Sequence, residues 1–184
     1  MRLRDLGKHL VDYLIPGLEE ISIEGREYLT NSEEPDMFVG CAFGVGEEYN
    51  KILARTIQDG RKYFGKNIAA YVQSEIGCQL KEMGGKNFTS SLDKGRVFTL
   101  DILKGAKDIG EKEEYVFSSH PGQIFRLTEI AEKLGMGGEI FIPKEVSWPS
   151  DDLQTWVRGP EVWSRKEPLV RLQHWMFGWV PREF

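Results

Sequence analysis

Three short apolar runs, each followed by a stripe of apolar residues at helical spacing, constrain this chain more than any other feature. Met37–Phe43 (MFVGCAF) runs into Gly44-Val45-Gly46 and then into Tyr49, Ile52, Leu53, Ile57 and Phe64. Asn67–Gln73 (NIAAYVQ) is followed by Ser74–Gly85, read as a loop with a short helix, and by the stripe Val97, Leu100, Leu103, Ala106 and Ile109. Glu114–Ser119 (EYVFSS) leads into Ile124, Leu127, Ile130, Ala131 and Leu134, stopped by Gly135, and Glu139–Pro143 (EIFIP) closes the series. Runs of four to eight residues, apolar throughout rather than alternating, suit strands covered on both faces. Strands that alternate with helices form a mainly parallel sheet between two helical layers. The expected fold is a three-layer α/β sandwich whose right-handed crossovers bring every strand-to-helix loop to one edge.

The flanks read differently. Leu3, Leu6, Leu10, Tyr13 and Leu14 describe an amphipathic helix halted by Pro16-Gly17, and Glu19–Pro35 is a polar connection. Ser164 and Glu167 have capping-box spacing, with Pro168 tolerated in a first turn and Leu169, Leu172, Trp175 and Met176 on one face, so a final helix is expected near Ser164. Trp156, Trp163, Trp175 and Trp179 all follow position 150, where they can pack on the sheet or on a second subunit. The organisation is a single domain over 1–184, with 1–35 as helix and connection, 36–145 as core, and 146–184 as a tryptophan-rich segment.

Composition narrows the class. A chain of 184 residues with 40% hydrophobic and 29% charged residues buries a core without disulfides or metal. A net charge of −5 and a pI near 5.4 oppose a phosphate-backbone binder, so nucleic acid is not expected as a partner. No apolar stretch approaches the ~20 residues needed to span a bilayer, and Met1–Lys8 carries no signal-peptide core, so a cytoplasmic location away from membranes is expected. Cys41 and Cys78 lack metal spacing and read as reduced structural thiols; no metal is expected.

Three loops can carry chemistry. Gly44-Val45-Gly46 lets a ligand approach a helix N-terminus, although Glu47-Glu48 place negative charge there and neither a dinucleotide nor a phosphate-loop motif is complete. Gln73-Ser74-Glu75 ends the second strand, where Ser74 or Gln73 can equally serve as a helix cap. Ser118-Ser119-His120-Pro121-Gly122-Gln123 follows the strand EYVFS and precedes Arg126; a histidine there sits where open α/β sheets bind ligands and can act as acid, base or donor. The plainer alternative makes Ser119 the cap and His120 a surface residue.

Together with Thr99 and the closing Arg165-Lys-Glu-Pro-Leu…Trp175-Met-Phe-Gly178-Trp, these loops make the chain resemble the YdcF-like (DUF218) family from about Met37 to Trp179. The family's Ser-Gly-Gly stands here as Ser74-Glu75-Ile76-Gly77, and its arginine, three residues after the histidine, corresponds to Arg126, six residues on. The resemblance implies a Rossmann-like sheet and a ligand such as S-adenosylmethionine or a nucleotide. On this reading Gly44, Gly46, Ser74, Ser118, Ser119, Gln123 and Arg126 contact the ligand, and His120 and Glu75 are the catalytic candidates. Two alternatives stand beside it: a non-catalytic interaction module that uses the tryptophan-rich C-terminus, with homo-oligomerisation there, and a nucleoside glycosyl or phosphoribosyl transferase with Glu75 as nucleophile or base.

Overall fold

The computed structural model describes residues 26–28, 35, 37–64, 68–91, 99–110, 114–143, 147–163 and 165–166. Among the described residues six strands form one sheet: β1 (Arg26–Tyr28), β2 (Met37–Gly40), β3 (Ala69–Val72), β4 (Phe88–Ser90), β5 (Glu114–Ser118) and β6 (Gly137–Phe141). Their order is β1-β6-β5-β2-β3-β4. Five of them are parallel, and β1 joins β6 antiparallel at one edge, with Arg26 beside Phe141. This is an α/β Rossmann-like sandwich.

The helices α1 (Glu47–Phe64), α2 (Ser74–Glu82), α3 (Thr99–Ile109) and α4 (Pro121–Lys133) fall on two faces. One core joins Leu53 and Ile57 of α1, and Ile76 and Leu80 of α2, to Phe38, Ala70, Val72 and Val116. The other joins Ile102, Leu103 and Ala106 of α3, and Leu127 and Ile130 of α4, to Val39, Tyr115, Phe117 and Ile140. Successive strand residues point to opposite faces, so an apolar run with no alternation is what a doubly covered strand requires. Phe38, Val39, Val116 and Phe117 are all fully buried.

The connections β2–α1–β3–α2–β4 build the sheet outward on one side of β2. The chain then crosses back through α3 to place β5 on the other side of β2, and continues through α4 to β6. The central strand is therefore β2, and the loops leaving β2 and β5 diverge to opposite faces at the seam between them. Such a switch point is where open α/β sheets form their ligand crevice.

Several element boundaries differ from the sequence reading. The segment Ser74–Gly85 holds the full helix α2 and is followed by β4, a strand with no apolar signal. Arg26–Tyr28, expected within a connection, is the antiparallel edge strand. The closing strand begins at Gly137, two residues before Glu139–Pro143. Gly138 has φ +141°, and a Cβ there would collide with the Tyr115 backbone carbonyl, so the position admits only glycine. Residues 160–163 and 165–166 are helical, which starts that helix before Ser164. The expected N-terminal helix, and Trp175 and Trp179, lie outside the described residues.

Candidate functional site at the sheet switch point

At the end of β2 the chain turns through Cys41–Gly46 before α1 begins. Gly44 adopts φ +78°, a left-handed conformation natural to glycine. The turn is stitched by Asn50, fully buried on the first turns of α1. Its Oδ1 accepts the Phe43 N–H at 3.3 Å, and its Nδ2 donates to the carbonyls of Gly44 and Gly46 at 3.3 and 2.7 Å. The Gly46 N–H, at the positive end of α1, donates to Asp152 Oδ2 at 2.6 Å. Asp152 thus supplies from the chain itself the anion that a helix N-terminus attracts. Its other oxygen accepts the Gln154 N–H at 2.7 Å.

The loop after β5 meets this turn directly. The Cys41 N–H donates to the Ser118 carbonyl at 3.0 Å, so β2 and β5 stay paired to their ends. Ser119 Oγ lies 3.0 Å from the Cys41 carbonyl and 2.9 Å from Gln123 Oε1, two acceptors for its single proton. Gln123 Nε2 then donates to Thr99 Oγ1 at 3.0 Å. A buried polar chain therefore crosses the seam, from the end of β2 through the start of α4 to the start of α3. Ser118 points to the opposite face, shared with Val116 by alternation, and its fully buried hydroxyl has no hydrogen-bond partner among the described residues.

His120 lies on that opposite face and is fully buried, which corrects the picture of an exposed loop histidine. It is also the N-cap of α4: its Nδ1 accepts the Gly122 N–H at 2.9 Å, with Pro121 in the first turn, so the cap is His120 and not Ser119. Accepting at Nδ1 fixes the neutral ring with its proton on Nε2. Phe43 stacks on the imidazole at 3.8 Å between centroids and 11° between planes, and Tyr49 and Trp148 lie at 4.8 and 4.4 Å. Burial pushes the imidazole down to about 3, opposed weakly by the Ser147 backbone. At neutral pH the ring is uncharged, so the general-acid role drawn from its ordinary range gives way to that of a hydrogen-bond donor.

The segment 147–163 covers this nest. Trp163, fully buried, donates from Nε1 to the Gly122 carbonyl at 3.0 Å and packs on Phe43 and Trp156 at 4.9 and 5.2 Å. The Arg126 guanidinium lies 5.5 Å from the Trp163 ring centre, and its charge slightly offsets the burial that pushes the Cys41 thiol up to about 12. Trp148 and Trp156, both half-buried, pack on Phe43 and Trp163 respectively.

On the β3 side, Gln73 Oε1 accepts the Ala42 N–H at 3.1 Å, tying this loop to the β2 turn. Gln73 is the N-cap residue of α2, without a side-chain cap. Ser74 donates to its neighbour Glu75 at 3.0 Å. The structure thus joins Gly44, Gly46, Ser118, Ser119, His120, Gln123 and Arg126 around one seam. Ser74 and Glu75 sit at the head of α2, linked to that seam through Gln73. Sequence reasoning missed Tyr49, Asn50, Trp148 and Asp152. Asn50, four residues beyond Gly46, carried the one local signal, an amide placed to reach back over a glycine turn.

Among the described residues, no group of three or more His, Cys, Asp or Glu gathers as a metal site, and no helix is long and apolar enough to cross a membrane. No family model matches the chain, and neither curated proteins nor solved structures yield a match.

Proposed function

We infer that the protein is a small-molecule-binding domain of the switch-point type, with a nucleotide-like or S-adenosylmethionine-like ligand held over the carboxyl ends of β2, β3 and β5. The observation that carries this reading is the polar chain Thr99–Gln123–Ser119–Cys41. Buried side-chain networks of this kind are costly unless fully paired, and this one lies at the switch point, where open α/β sheets form their ligand crevices. Gln73, Glu75 and Thr99, all partly exposed, lie beside this network or at the neighbouring strand end, within reach of a ligand. The YdcF-like resemblance points to the same ligand class and rests on the residues alone.

Asp152 bears on which part of a ligand sits where. With its carboxylate on the Gly46 N–H, and Glu47 and Glu48 in the same helical turn, the head of α1 is already negative. A nucleoside or sulfonium group fits beside it better than a phosphate does. The test is thermal unfolding with adenosine, AMP, ATP, inosine and S-adenosylmethionine. A site saturated a hundredfold above Kd adds about 2.7 kcal/mol, a Tm rise of several degrees at this size. Thr99→Val with Gln123→Leu should abolish the shift. No shift with any of the five ligands removes the reading.

A further inference from the structure

Two buried polar atoms in the aromatic nest have no partner among the described residues: His120 Nε2 and the Tyr49 hydroxyl. Both side chains are essentially inaccessible, at 0% and 1% exposure. The Ser147 backbone favours the protonated imidazole, yet no group meets Nε2 with the geometry of a hydrogen bond. The next residue, Trp148, lays its indole edge-on against His120 and against Phe43, the latter at 5.5 Å. Trp148 is only partly buried, unlike every other ring touching the imidazole. An unmet donor inside a core costs stability, and two in one nest call for a reason.

We propose that Ser147 and Trp148 occupy the seat of a planar heteroaromatic ring bearing a carbonyl oxygen, of the nucleobase type. The carbonyl of that ring accepts from His120 Nε2–H and Tyr49 O–H, and the ring takes the place of the Trp148 indole beside Phe43. The proposal rests on the nucleotide-like ligand inferred for the switch point and says which face of the seam receives the base. Each element of the stand-in matches the guest: the Ser147 backbone, which favours the protonated imidazole, and an aromatic ring against the stacked pair. Phe43 and Trp163, at 5.5 and 6.3 Å from the Trp148 ring, give the seat apolar ring neighbours. The fixed Nε2–H tautomer selects an acceptor and rejects a donor at that point. Asp152, on the neighbouring turn, keeps a free anion from the same place.

The experiment compares inosine, whose base carries a carbonyl, with purine riboside, which lacks it, by calorimetric titration of the wild type, Tyr49→Phe and Trp148→Ala. Wild type should bind inosine about tenfold more tightly than purine riboside, and Tyr49→Phe should erase most of that difference. Without ligand, Tyr49→Phe should melt about 2–4 °C higher, because it removes a buried hydroxyl with no partner. Trp148→Ala should bind inosine at least as tightly as wild type, since no indole has to be displaced. Equal binding of the two nucleosides, a lower Tm for Tyr49→Phe, or weaker inosine binding by Trp148→Ala would each overturn the proposal. If adenosine, AMP, ATP or S-adenosylmethionine still stabilises the protein, the proposal fails alone; if nothing does, the ligand reading falls with it.

Discussion

The imidazole of His120 lies flat on the phenyl ring of Phe43, 3.8 Å between centroids, and so joins the loop after β5 to the loop after β2. These two loops leave the sheet toward opposite faces, and this stack joins the Cys41–Ser118 backbone bond and the Ser119–Cys41 hydrogen bond in holding their bases together. Both partners also shape the chain beside them, since Phe43 sits one residue before the left-handed Gly44 and His120 caps α4.

Burial of His120 makes stability depend on pH. An unfolded histidine titrates near 6.5, whereas the folded ring is held at about 3. Between those values the unfolded chain binds the extra proton, so the neutral ring's contribution is whole above pH 6.5 and drains away as pH falls toward 3. Urea unfolding should lose up to ~1.4 kcal/mol per pH unit from about pH 6 to pH 5. His120→Phe should be flatter over that range; identical slopes would mean that the ring is not buried neutral.

The Gly44 turn and Asp152 should prove strongly coupled. A Cβ at Gly44 meets the Asp152 carboxylate and also forces a left-handed conformation on a non-glycine residue. Gly44→Ala should cost about 2 kcal/mol or more, and Asp152→Ala about 1.5–3 kcal/mol from the lost charged hydrogen bonds. The double variant should cost clearly less than the two singles added, because one removes what the other collides with. Strict additivity in denaturant melts would count against this packing.

Trp163 should behave as a core residue. Truncation to alanine opens a large cavity and strands the Gly122 carbonyl, at an expected cost of about 3–5 kcal/mol. Trp163→Phe should lose less, keeping most of the ring and forgoing the hydrogen bond. A Trp163→Ala protein of wild-type stability and altered mass by size exclusion would instead put this side chain at a subunit interface.

The two cysteines should separate cleanly under native labelling. Cys41 is buried just beyond the end of β2 with its thiol pushed up to about 12, while Cys78 is exposed on α2. A thiol reagent should modify one site rapidly, identified by mass spectrometry as Cys78, and reach Cys41 only on unfolding. Early modification of Cys41 would show the seam to be open.

What could be read from the sequence follows from where each signal is stored. The strands β2, β3 and β5 declare themselves, because burial on both faces writes apolar residues at nearly every position. The edge strand β4, Phe-Thr-Ser, is half exposed and carries no such mark. Gly137 and Gly138 hide the start of β6 for the opposite reason: the backbones approach too closely for side chains. The convergence of Gly44 and His120 was legible because crossover handedness dictates it. The burial of His120 was not, since its cover, Trp148, lies 28 residues on in a segment with no periodicity of its own. The tie from Asp152 to Gly46 spans 106 residues and leaves no local trace.

The position of β2 in the sheet order has a consequence for how the chain is made. During synthesis, residues 37–40 can pair on one side as soon as residues 69–72 emerge, but their other partner is 115–118. For the several seconds a ribosome takes to add the roughly 40 residues between the two, a strand bound for the centre of the sheet keeps one edge of unpaired backbone N–H and C=O groups between two apolar faces. Late-closing parallel pairings of this kind are slow and prone to mispairing. The centre of the sheet therefore stays open until residues 115–118 arrive, and an early stop in translation would leave behind a sticky half-sheet.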